Sequence, residues 1–175
     1  EAILTRFDPH RDIMLEGLAA LAEFEALASL ACFSAAQPVR CYPDVVSDTR
    51  VEITAAVHPL IAAESAQAND LLLTGAERMW VVTGPNAGGK TVAMKTVGVL
   101  AMIAQSGWDV PAREDTRLPL IRRLLVDLGD EQSIEDSLSS FSAHLTHLRR
   151  FLAEADAHTL VICDEIGSGT DPQEG

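Results

Sequence analysis

Met79-Trp80-Val81-Val82-Thr83-Gly84-Pro85-Asn86-Ala87-Gly88-Gly89-Lys90-Thr91 is the stretch on which the fold turns. Met79 to Thr83 is a short apolar run, which suits a buried parallel strand. Gly84 to Gly89 reads as a loop. Thr91 to Ser106 carries a helical pattern closed by Gly107, the residue type favoured just past a helix end. The segment Gly84 to Thr91 fits G-x-x-x-x-G-K-[ST]. Each residue type in it has a chemical reason. Gly88 and Gly89 let backbone amides approach phosphate oxygens with no Cβ in the way. The amides meet the N-terminus of the next helix, which favours anions. Lys90 reaches the β- and γ-phosphates as a point charge, and the Thr91 hydroxyl supplies an oxygen ligand to Mg²⁺. The expectation is an ATP site with Mg²⁺, built from Gly84, Pro85, Asn86, Ala87, Gly88, Gly89, Lys90 and Thr91.

Working outward, a second apolar run, Thr159-Leu160-Val161-Ile162-Cys163, ends in Asp164-Glu165. Ligands of open α/β sheets gather at the C-terminal ends of parallel strands. Asp164 there suits Mg²⁺, through water, and Glu165 suits orienting and deprotonating the attacking water. Glu165 and Lys90 are therefore the catalytic candidates; Thr91 and Asp164 are the metal candidates. The short spacing between Lys90 and Asp164 leaves no room for a long coiled-coil insertion, against the SMC-type ATPases.

Between these motifs the pattern alternates strand and helix. Leu124 to Leu128 suits a strand. Ser139 to Ala155 suits a helix with Phe141, Leu145, Leu148 and Leu152 on one stripe. That alternation predicts an α/β fold with a mostly parallel sheet flanked by helices. Upstream, Val51-Glu52-Ile53-Thr54 suits a short strand. Arg11 to Phe33 reads as one helix, Leu- and Ala-rich on its flanks and so expected to be buried on more than one face. A linker near residues 34–44 places a boundary there, giving a helical segment at 1–37 and the main domain at 38–175.

Composition narrows the partners. The chain has 13 Lys and Arg against 26 Asp and Glu, a net charge of −13. Gripping nucleic acid relies on basic side chains, so this surface is a poor candidate for holding DNA directly. Cys32, Cys41 and Cys163 show no paired spacing, which argues against a disulfide framework or a zinc site and for reduced, mostly buried thiols in a cytoplasmic protein. Glu16, Glu23 and Glu25 argue against a bilayer span in the first helix. His144 and His147, three apart on a helix, make a poor metal pair without a third ligand. Trp80 and Trp108 read as core residues.

With these residues in view, Thr83 to Thr91 resembles the TGPN-x-GGK-[ST] loop of MutS-family ATPases, and Asp164-Glu165-Ile166-Gly167-Ser168-Gly169-Thr170-Asp171-Pro172 resembles that family's second motif. His58-Pro59 and Asn69-Asp70 sit where the family has its His-Pro and Asn-bearing segments. Within the family, Lys95-Thr96-Val97-Gly98, Gly129 to Glu135 and Thr170 to Gly175 resemble the recombination-suppressing branch. The resemblance implies a P-loop, ABC-like ATPase head preceded by a helical lever segment and continuing past Gly175. It implies a cytoplasmic homodimer joined through its heads, with no membrane. Leu138-Ser139-Ser140-Phe141 is similar to the family's Ser-Thr-Phe element, which makes Ser139 a ligand in trans to the partner's ATP; the alternative is a helix cap. DNA, branched in this branch, would be bound outside the chain, as would an Smr nuclease domain; some members are implied to act at stalled ribosomes. One departure stands out: Ala66-Gln67-Ala68 lies where mismatch-repair members tend to have an adenine-stacking aromatic. The family's switch histidine would lie beyond Gly175. Gln132 stands either as a sensor of Mg²⁺ or water, or as a solvent-facing loop residue. Two other readings share this sequence: the head of a mismatch-repair MutS protein, and a nucleotide-gated scaffold with little turnover.

Overall fold

Val51, Ile53 and Ala56 carry their apolar side chains to one face of a strand, and the fold grows around that face. A computed structural model describes residues 10–85, 88–128 and 137–166, the backbone alone over 137–143. The chain divides into two units at the Pro38/Val39 junction.

In the first unit, α1 spans Arg11–Ala36 and buries none of its residues. Ile13, Leu15, Leu18, Leu21, Phe24 and Leu27 are all exposed. The expectation of burial on several faces is therefore corrected. An apolar helix is buried only where another element covers it. By length and composition it is long and apolar enough to cross a membrane, a test that core helices of soluble proteins also pass. Glu16, Glu23 and Glu25 place three carboxylates along it.

The second unit holds the strands β1 (Asp44–Val46), β2 (Val51–Ala56), β3 (Asn69–Leu73), β4 (Arg117–Pro119), β5 (Arg123–Asp127) and β6 (Thr159–Cys163), with the helices α2 (Lys90–Gln105) and α3 (Ser137–Glu154). Four strands form one sheet in the order β1-β4-β2-β3. In it β1 and β4 are parallel, whereas β2 runs antiparallel to both β3 and β4. The parallel pair β5–β6 stands as a second sheet, with α3 as its crossover. The mostly parallel single sheet expected from the alternation is thus replaced by a mixed α/β arrangement. The antiparallel β2–β3 connection, made before the alternating region begins, is the reason.

Helix α2 lies against both β4 and β6. Val97, Leu100 and Ala104 on α2 join Val51, Ile53, Val110, Ala112 and Leu118 in one core. At about 25 cal/mol per Å² of apolar surface removed from water, such a cluster is the main stabilising term of the unit. Gly98 is placed where α2 comes closest to β5 and β6: a Cβ there would lie 2.9 Å from Ile162 Cδ1. Gly107, at φ +81°, ends the helix as expected.

Of three further expectations, one is corrected and two hold in part. Met79–Thr83 forms no strand; Met79 and Val81 are exposed. A strand exists only through a ladder partner, and here the run faces β6 across an apolar cavity of about 390 Å³ lined by Trp80, Val82, Met94, Val161 and Ile162. Trp80 packs at the core margin, its indole N–H donating to the Leu72 carbonyl at 2.8 Å, whereas Trp108 is 41% exposed. Of the cysteines, Cys41 is buried, Cys163 half-buried and Cys32 exposed.

Candidate functional site

Gly89 opens α2 at φ +77°, in the left-handed region, with no atom within 4 Å of where a Cβ would lie. That frees the turn between the loop and the first helical residue, Lys90. The loop closes on itself: Gly88 N–H donates to the Pro85 carbonyl, and Ala93 N–H to the Gly89 carbonyl, both at 2.9 Å. The Lys90 ammonium donates to the Gly84 carbonyl at 2.5 Å, so its charge lies over the loop. Asn86 and Ala87 lie outside the described residues.

The Thr91 hydroxyl, on the first turn of α2, donates to the Asp164 carboxylate at the end of β6. Two residues far apart in sequence thus meet where a helix N-terminus faces the C-terminal end of a parallel strand. Asp164 is held twice more: its own N–H donates to the Asp127 carbonyl at 2.9 Å, and its Oδ1 accepts the Glu165 N–H at 3.0 Å. Glu165 is exposed and stands at φ +48°. A non-glycine residue in that region carries local strain, which gathers at functional sites.

These donors fit the chemistry expected of them. A hydroxyl and a carboxylate in contact are hard oxygen ligands of the kind Mg²⁺ takes, and the open glycine turn beside an ammonium suits phosphate. Among the described residues, no group of three or more His, Cys, Asp and Glu is arranged to hold a metal on its own.

Beside the loop lies a cavity of about 350 Å³ whose walls include His58, Ala66, Gln67, Asn69, Gly89 and Lys90. Among the described residues, no Phe, Tyr or Trp lines it. Its walls mix polar groups with Ile61, Val82 and Val92; the Asn69 amide donates to the Gln67 carbonyl at 3.0 Å, and the Leu60 N–H to His58 Nδ1 at 3.3 Å. Burial, then the Lys95 charge, lowers the His58 pKa below its usual value. Asp70, next to Asn69, accepts the Ala55 N–H at 2.8 Å where β2 bulges.

Ser139 sits in the first turn of α3, where only the backbone is described; Gln132 and the segment from Gly167 to Gly175 lie outside the described residues. The stripe expected on α3 holds only in part: Leu148 is half-buried, Leu145 and Leu152 are exposed, and Phe151 is buried and His144 partly so. Sequence reasoning missed Asp127. Its buried carboxylate lies 2.8 Å from His144 Nδ1 and 3.1 Å from His147 Nδ1. Burial raises the Asp127 pKa, but the two histidine hydrogen bonds outweigh it and the net direction is down. Cys163 beside it has its thiol pushed up by burial and by the Asp127 charge. The available signal was a carboxylate closing an apolar strand, with His-x-x-His in the next helix.

Residues 80–175 match the family model described as MutS domain V. Proteins named endonuclease MutS2 match as well. That of Lactiplantibacillus plantarum is 41% identical over 167 residues, covering 95% of this chain and 21% of the relative. That of Solidesulfovibrio magneticus is 51% identical over 136 residues, 76% of this chain and 18% of the relative. That of Listeria innocua is 48% identical over 131 residues, 74% and 17% respectively. The chain spans about a fifth of the length of the curated relatives it matches.

Proposed function

The chain belongs to the MutS family, and on that premise we infer that it is the ATP-binding and ATP-hydrolysing part, a P-loop head, of a dimeric DNA-binding protein of the MutS2 type. One observation carries the reading: the Thr91 hydroxyl meets the Asp164 carboxylate, joining the Gly-rich loop to the acidic strand end. The amides of the Gly84–Thr91 loop hold the phosphates, and the Lys90 ammonium exchanges the Gly84 carbonyl for phosphate oxygen. Thr91 and Asp164 would hold Mg²⁺, which would supply positive charge to offset that of the phosphates. Glu165 orients a water and takes its proton as the new O–P bond forms and the bond to the β-phosphate oxygen breaks. The cavity beside the loop, with His58, Gln67 and Asn69 among its walls, receives the base. Ser139 completes the site of a second copy.

On this reading ATP closes the dimer and hydrolysis reopens it, moving DNA-binding parts outside the chain. The net charge of −13 agrees with DNA being held elsewhere. Suppression of recombination through branched DNA, nuclease chemistry of the kind the relatives' name states, and action on ribosomes all belong to the whole protein. In the full-length protein, Lys90→Ala should abolish ATP binding. Glu165→Gln should keep binding and lower kcat by about 100-fold, the scale of a lost general base. Steady-state hydrolysis unchanged by Glu165→Gln would sink the assignment of the base.

A further inference from the structure

Asp127 closes β5 and is 8% exposed. A carboxylate so buried is retained only where its charge is compensated. Both oxygens are engaged by one helix: Oδ2 lies 2.8 Å from His144 Nδ1, and Oδ1 lies 3.1 Å from His147 Nδ1. An ionised carboxylate only accepts hydrogen bonds, so both rings present Nδ1–H to it. The His147 ring is further fixed on Phe151, nearly parallel at a centroid distance of 6.4 Å, and Phe151 is buried. Two bonds a helical turn apart set both the rotation and the axial register of α3 in a way one bond would not.

The same residue reaches the other way. The Asp127 carbonyl accepts the Asp164 N–H at 2.9 Å, and Asp164 accepts Thr91 and adjoins Glu165. Asp127 therefore touches the acidic pair through its backbone and α3 through its side chain. Ser139 lies in the first turn of that helix, about 7.5 Å along the axis from His144 at 1.5 Å per residue. A small rotation of α3 about its own axis would carry Ser139 sideways with it.

We propose that Asp127, His144 and His147 form a positioning clamp, which fixes α3 against the end of β5 so that Ser139 is presented to the neighbouring copy in register with Asp164 and Glu165. The clamp rests on the ATPase reading given above and deepens it. Its residues touch no phosphate; they hold the element that does. Breaking it leaves the phosphate loop intact, so nucleotide affinity survives while turnover falls.

The test uses the full-length protein, with Mg²⁺-ATP hydrolysis, ATP affinity and thermal melting measured on each variant. Asp127→Leu and the double variant His144→Leu/His147→Leu should each lower kcat at least about 10-fold with ATP affinity within about 3-fold, the signature of a transition-state effect. Combining all three changes should be no worse than either alone, because groups acting as a unit are non-additive. Asp127→Asn can accept from one ring and donate to the other in its second tautomer, so it should recover to within about 3-fold of the parent kcat. If Asp127→Leu fails to fold, His147→Leu carries the test, since that ring is half exposed; a kcat about 3–10-fold down with affinity kept is expected. Unchanged kcat in Asp127→Leu and His147→Leu, or strictly additive losses, would overturn the clamp alone. ATP binding that survives Lys90→Ala would overturn the ATPase reading and the clamp with it.

Discussion

At His58, burial and the Lys95 charge act in the same direction, lowering the pKa below its unfolded value. The unfolded chain then binds the proton more tightly than the folded one. The stabilisation is complete above the ordinary histidine pKa and is lost as pH falls through it toward the lower folded value. His58→Gln should flatten this dependence: between about pH 7.5 and about pH 5.5 the urea midpoint should drop less in the variant than in the parent. An equal drop in both would assign the pH sensitivity to another group. Glu165 poses a different question, because its strain lies in the backbone at φ +48°. Glycine takes that conformation freely. Glu165→Gly should therefore unfold about 0.5–1 kcal/mol later than Glu165→Gln, after its greater unfolded-state entropy is allowed for. Both should lose hydrolysis, which separates the strain from the chemistry.

Helix α2 packs through Gly98 against Ile162 on β6. Gly98→Val should destabilise by about 1–3 kcal/mol, the usual range for an overpacked core. Gly98→Ala should lie near zero, because its severe contact is with the end of one flexible side chain and alanine gains about 1 kcal/mol in helix propensity. Chemical denaturation of the pair checks both; equal losses would mean that α2 cannot shift at all. The α2 boundary, β6 and the Gly-rich loop were legible in the sequence because each is set locally, by caps, turn residues and apolar run length. Strand β5 was legible to within a residue. Pairing was not: Met79 to Thr83 has strand composition, but a ladder depends on what lies alongside. The face of α3 was misread for a related reason. Leucine spacing marked Leu145 and Leu152, which are exposed, whereas His144 turns toward Asp127 and Phe151 is buried. No local pattern marks a polar residue as inward-facing until its partner's position is known.

On the molecular scale, the chain joins a unit with no buried residue in its helix to a unit with a shared core. Of the five residues proposed for each site, four (Lys90, Thr91, Asp164 and Glu165) come from one copy; the fifth, Ser139, comes from the other. The ATPase activity of the 175-residue chain should therefore be slow, and its specific activity should rise with protein concentration as pairs form. A specific activity independent of concentration would mean that each copy suffices. The indole of Trp80 adds a practical consequence. It is anchored to the Leu72 carbonyl shortly ahead of the phosphate loop, and Trp108 is the only other tryptophan in the chain. With Trp108→Phe, the remaining tryptophan fluorescence comes from the approach to the loop itself. Titrating ATP against that emission would then read loop occupancy optically, with no label attached.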